Sequence, residues 1–182
     1  MIILGIDPGS RHTGYGVIHI EGARQRIVEY GELHLDATED HSLRLKQIYD
    51  RLLKVIERCL PDVCAIEMPV YGRNPQSMLK LGRAQAAAML AVLNRQIPVT
   101  QYTPKEVKKS VTGNGNASKE QVWYMVRAIL EITEKDPSLG LDASDALAVA
   151  LCHAHRLAHG ISTHSHKDWT SFVRANPGRV IE

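Results

Sequence analysis

Two short apolar runs each end on a carboxylate, and that coincidence narrows what this chain can become. Residues 2–6, IILGI, run into Asp7, and residues 63–67, VCAIE, end on Glu67. Apolar runs this short, bounded by turn formers, read as strands buried on both faces. A carboxylate at the carboxyl end of such a strand lies where open α/β sheets build their sites. After Asp7 comes PGSRHTGYG, dense in turn residues, so Gly5, Pro8 and Gly9 are expected to build a tight turn around the carboxylate. Residues 15–20 and 25–35 then read as two more strands with Glu21 and Gly22 at their turn, completing an antiparallel meander.

The period changes after residue 41. Leu45, Ile48, Leu52, Ile56 and Leu60 mark one face of a helix over 42–60, with Pro61 just beyond it. A second helix over 77–94 is rich in small residues, including Gly82, Ala84, Ala87, Ala88 and Ala91. It either packs closely on the sheet or offers a face to a second copy of the chain. Residues 97–102 read as a strand, and Thr103-Pro104 opens a short helix. Ser118 with Gln121 three residues on marks the start of a helix to Ile132, and Asp142 opens a last helix to about His159. Three strands followed by strands alternating with helices give an α/β chain, a five-stranded mixed sheet flanked by helices. One domain is expected over 1–159. Residues 160–182 form a partly flexible C-terminal tail in which Trp169, Phe172 and Val173 can anchor a short helix.

Composition removes several classes. No stretch reaches the roughly 18 apolar residues of a membrane span, and MIILGID has no basic region of a signal peptide. The three cysteines, Cys59, Cys64 and Cys152, match neither a zinc spacing nor a disulfide framework, which favours a reducing, cytoplasmic location. A net charge of +2 does not announce nucleic acid, but residues 105–119 carry four lysines against one acid, and 167–179 is basic too. Beside an acidic site such groups become phosphate contacts; elsewhere they are solvated surface.

Asp142 and Asp145, three residues apart, share one helical face. If that helix starts over the strand ends, four carboxylates meet. Such a group cannot stay ionised unaided, and hard divalent cations with oxygen ligands, Mg²⁺ by default, supply the missing charge. Two ions can activate water and stabilise the leaving oxygen of a phosphodiester. Read singly, Asp142 and Asp145 are equally a helix cap and a favourable helix-dipole partner, and Glu67 an exposed strand end.

Four blocks in order, GIDPGSRHTGYGVI at 5–18, AIEMPVYGRNPQSMLKLGRA at 65–84, VKKSVTGNGNASKEQV at 107–122 and LDASDALAVALCHAH at 141–155, resemble the RuvC family of crossover junction endodeoxyribonucleases. The resemblance implies an RNase H-like fold, a homodimer, and paired symmetric nicks in a four-way DNA junction during recombination and repair. It implies Asp7, Glu67, Asp142 and Asp145 as catalytic metal ligands. Two Mg²⁺ ions per site are implied, with Mn²⁺ able to substitute, and the RuvA–RuvB branch-migration motor is the implied partner. Lys108 and Lys119 match basic positions that support junction binding or catalysis, and Tyr71, Arg73, Asn74 and Arg83 are further candidate DNA contacts. The chain departs from the pattern where many members carry an aromatic: Val70 stands there with Tyr71 beside it, and Arg83 and Gln85 are exchanged in type.

The histidines at 153, 155, 159, 164 and 166 are expected to be exposed near a helix C-terminus, with His153 nearer the site edge. An actin-like or sugar-kinase-like ATPase shares the DPGS loop but needs two such domains, and this chain has room for one. A different RNase H-like nuclease and a junction binder without catalysis also compete with the resolvase expectation, and cleavage assays with Mg²⁺ tell the three apart.

Overall fold

The computed structural model describes residues 1–69, 74–132 and 140–158. The expectations for Tyr71 and Arg73, for His159, His164 and His166, and for the tail lie outside these. The elements follow the order read from the sequence: β1 (Ile2–Asp7), β2 (His12–Glu21), β3 (Arg24–His34), α1 (His41–Cys59), β4 (Val63–Glu67), α2 (Pro75–Leu93), β5 (Val99–Tyr102), α3 (Pro104–Thr112), α4 (Lys119–Ile129) and α5 (Leu141–Ala158). The sheet order is β3-β2-β1-β4-β5, antiparallel through the first three strands and parallel from β1 to β4 and β5.

Strand parity positions the site. Leu4 and Ile6 of β1 and Cys64 and Ile66 of β4 face the core under α1 and α2, while Ile3 and Ala65 face the core under α3, α4 and α5. Side chains alternate along a strand, so Asp7 and Glu67 both point to the α5 face. The parallel register pairs Ile6 with Ile66, which makes the two carboxylates neighbours across adjacent strands.

Three glycines then let α5 approach. A Cβ on Gly5 would lie 2.1 Å from the Ala146 carbonyl oxygen, one on Gly14 2.0 Å from that of Asp142, and one on Gly16 2.7 Å from the Leu147 side chain. Here the structure moves the start of the second strand, expected at 15 after a run of turn residues, back to 12. Strand β2 starts at His12, and Gly14 and Gly16 are strand residues that admit a helix against the backbone rather than turn formers. The turn itself is shorter and is closed by Thr13, whose hydroxyl donates to the Gly9 carbonyl at 2.9 Å.

Helix ends move by small amounts. Helix α1 starts at His41 rather than at 42, with Asp40 as its cap accepting from the Ser42 N–H, and Asn74 caps α2 with Pro75 as its first residue. Capping boxes at Thr103–Glu106 and Ser118–Gln121 start α3 and α4. The small residues of α2 bury Ala84, Ala87, Ala88 and Ala91 against the core shared with α1, leaving Leu79, Leu90 and Leu93 exposed. No helix among the described residues is long and apolar enough to cross a membrane.

Gly5→Ala is expected to destabilise the protein by about 1–3 kcal/mol, because the added methyl meets backbone that cannot step aside. Melting temperature and urea midpoint measure it; an unchanged stability would mean that α5 does not rest on β1 this closely.

Candidate active site

Asp7 ends β1, Glu67 ends β4, and Asp142 and Asp145 occupy the first turns of α5. One carboxylate oxygen from each of Asp7, Asp142 and Asp145 lies within 4.8 Å of the others. Glu67 stands just outside that triplet, yet Asp7 and Asp145 are the charges that act on it most. Asp7, Pro8, Glu67, Met68, Pro69 and Leu81 line a small pocket of about 160 Å³ over the carboxylates.

The question of whether Asp142 merely caps its helix has a physical answer. The Ala143 N–H, in the first turn of α5, donates to Oε1 of Glu32, 111 positions away on β3, at 3.3 Å. Glu32 takes the capping role and leaves the Asp142 carboxylate to face Asp7. Sequence reasoning missed Glu32, since nothing local ties it to α5. It also missed Gln85, whose amide donates to the Glu67 carbonyl at 3.4 Å and to Gln101 Oε1 at 3.1 Å, bracing the end of β4.

The electrostatics are those of a site short of positive charge. Burial, then Asp145 and Asp142, pushes Asp7 up to about 7. Burial, then Asp7 and Asp145, pushes Glu67 up to about 8. Burial raises Asp145 too, against the pull of Lys119, whose Nζ donates to Asp145 Oδ2 at 2.8 Å and whose own pKa rises in return. Lys108 sits close enough to favour the ionised forms of Glu67 and Asp145. One lysine contact does not balance this many carboxylates. The donor set, hard oxygens on converging elements, fits divalent cations of the Mg²⁺ or Ca²⁺ type.

The remaining candidates are dispersed. Asn74 spends its side-chain oxygen on the Gln76 and Ser77 N–H groups, so only its amide nitrogen is available for a DNA contact. Arg83 is exposed on α2. His153, expected near the site edge, is buried instead, its Nδ1 2.8 Å from the hydroxyl of Tyr102, the last residue of β5. His155 is half-buried rather than exposed, with Nδ1 3.1 Å from Ser110 Oγ.

A mixed five-stranded sheet with carboxylates at adjacent strand ends and a helix bringing two more across them defines an RNase H-like nuclease class. Residues 3–153 match the family described as crossover junction endodeoxyribonuclease RuvC, and the chain belongs to that family. It is 60% identical over 182 residues to the RuvC of Salinibacter ruber, covering both chains fully. With that of Bacteroides fragilis it shares 45% identity over 98% of this chain and 95% of the other. The Thermus thermophilus RuvC structure superposes with a TM-score of 0.79 at 34% identity, over 88% of this chain and 97% of that one. The same protein in complex with Holliday junction substrate gives 0.79 at 33%, over the same shares of the two chains. A yeast mitochondrial Holliday junction resolvase shares the fold, with a TM-score of 0.60 at 16% identity over 86% of this chain and 78% of that one.

The raised carboxylates set a pH dependence. Asp7 and Glu67 bind protons more tightly folded than unfolded, so the folded state gains as pH falls. Their destabilising contribution is absent below about 4, grows as pH rises, and is complete above about 8. In chelator, the melting temperature is expected to drop from about pH 5 to about pH 8 more in the wild type than in Asp7→Asn, with added Mg²⁺ offsetting the drop. Parallel curves for the two proteins would contradict these charge assignments.

Proposed function

We propose that this chain is a Holliday junction resolvase, a structure-specific endonuclease that makes paired symmetric nicks in four-way DNA by metal-dependent hydrolysis, in recombination and repair. The observation that carries the reading is the convergence of Asp7, Asp142 and Asp145 within 4.8 Å, with Glu67 beside them. These four are the proposed ligands of two Mg²⁺ ions, with Mn²⁺ accepted in their place. Bound there, the ions supply an activated water and charge stabilisation for the leaving oxygen.

The protein's own groups do the rest. The close triplet fixes ligand spacing, and Leu81 with Pro8 and Pro69 walls the pocket where the phosphodiester is presented. Lys119 holds Asp145 in place and, being more than half exposed, can turn to the phosphate when a cation relieves it. Lys108 lies near enough to steady the same charge.

A homodimer is the proposed assembly. Leu79, Ala86, Leu90 and Leu93 recur at helical spacing on the outer face of α2, and all are exposed. A two-fold pair places two sites in the symmetry of the junction. Action with a RuvA–RuvB motor in the cytoplasm, and Tyr71 or Arg73 as DNA contacts, belong to the same proposal.

Asp7→Asn is expected to bind a synthetic junction and fail to cut it in Mg²⁺. Gel assays of binding and cleavage decide this, and near wild-type cutting would remove Asp7 from the ligand set. Replacing Lys108 and Lys119 together with Ala is expected to reduce the slope of log affinity against log salt by about two. An unchanged slope would make them ordinary surface lysines.

A further inference from the structure

A second pocket, of about 320 Å³, lies between the turn after β1 and the first turns of α1 and α2. Ser10, Arg11, Arg44, Ser77, Lys80 and Leu81 line it, and Leu81 also walls the pocket over Asp7 and Glu67, so the two cavities are neighbours. Arg44 is the deepest cation, 7% exposed, with Nε buried and without a hydrogen-bond partner. None of the ion pairs among the described residues involves Arg11, Arg44, Lys80 or Arg83. His41 joins the group: both its ring nitrogens are buried without partners, and burial, Arg44, Arg83 and Lys80 hold its pKa down. The nearby acids, Asp36 and Asp40, are exposed and already accept hydrogen bonds from Thr38 and Ser42.

An unpaired, nearly buried arginine among like charges is costly unless an anion completes it. The helices sharpen the point. Neither α1 nor α2 has an acid in its first turn, and His41 and Arg44 sit at the N-terminal end of α1, where the helix dipole disfavours cations. Asp40 and Asn74 already cap the two helices, but every charged side chain that lines the pocket is a cation, and that lining favours a tetrahedral anion.

We infer that this pocket holds a backbone phosphate of the bound DNA strand, close to the one presented to Asp7, with Arg44 as buried anchor and Arg11 and Lys80 closing on it from the solvent side. The inference rests on the nuclease reading above. It makes these residues positioning groups: they set which phosphodiester reaches the carboxylates.

The test places a single neutral methylphosphonate at successive positions around the cleavage point of a synthetic junction. Binding is measured in the Asp7→Asn background, with and without Arg44→Gln. An Arg11→Gln/Lys80→Gln variant at exposed positions serves if Arg44→Gln unfolds. One position is expected to weaken binding roughly tenfold with the arginine present and hardly at all without it. Independent losses at every position would overturn the pocket assignment, while junction cleavage by the wild type would leave the nuclease reading standing. Inorganic phosphate shifting the His41 ring resonances with no such coupling would assign the pocket to free phosphate and equally overturn the inference. Failure of the wild type to bind or cut the junction would instead remove the nuclease reading, and the inference with it.

Discussion

Helix α5 lies directly against β1 and β2 at Gly5, Gly14 and Gly16, and this close seating is what brings Asp142 and Asp145 to Asp7. A helix held one side chain further from the sheet would carry Asp142 and Asp145 away from Asp7 by a distance comparable to the spacing of the carboxylate oxygens themselves. The same seating buries a continuous stretch of α5, from Ala146 to Ala154, against the core that holds Ile3, Ile18 and Ala65. Burial over that length provides the adhesion, since each fully buried aliphatic side chain contributes about 1.5–3 kcal/mol. That adhesion offsets the repulsion among acids at the helix start. The site is thus held together by packing a few residues away from it rather than by contacts among its own charges.

The cations are distributed accordingly. Lys119 and Lys108, on α4 and α3, serve the carboxylates from the α5 face of the sheet. Arg11, Arg44 and Lys80 gather on the other side of Leu81, where α1 and α2 cover the opposite face. A negatively charged strand crossing the pocket therefore meets a short acidic gap with positive charge on either side. The acidic gap repels phosphate unless it is filled by cations, and the flanks attract it whether or not the gap is filled.

Most of the fold could be read from period and punctuation. Among the described residues the elements appear in the expected order, because buried strands, amphipathic helices and capping residues each leave a local signature. Asp7 and Glu67 were legible as strand-end carboxylates, and parity along the strands puts them on one face. The convergence of Asp142 and Asp145 upon them was only conditional, since no local pattern says where a helix lands. Gly5 and Gly14 look like turn residues in one dimension and are, with Gly16, helix seats in three. Glu32 and Arg44 were invisible for a related reason: the first acts through a helix end 111 residues away, and the second lies among charged neighbours on an ordinary amphipathic helix.

The dependence of α5 on Glu32 has a bearing on how the protein is made. The proposed ligand set spans the chain from Asp7 to Asp145, and the helix carrying the last two members begins at Leu141. A growing chain that has emerged only as far as α4 can complete its sheet but holds no more than Asp7 and Glu67. Only when α5 leaves the ribosome and finds β3, with the Ala143 amide on Glu32, does a full set of acids exist. If these four acids are the ligands, an enzyme that cuts DNA is inert as a nascent or truncated polypeptide, with no inhibitor required.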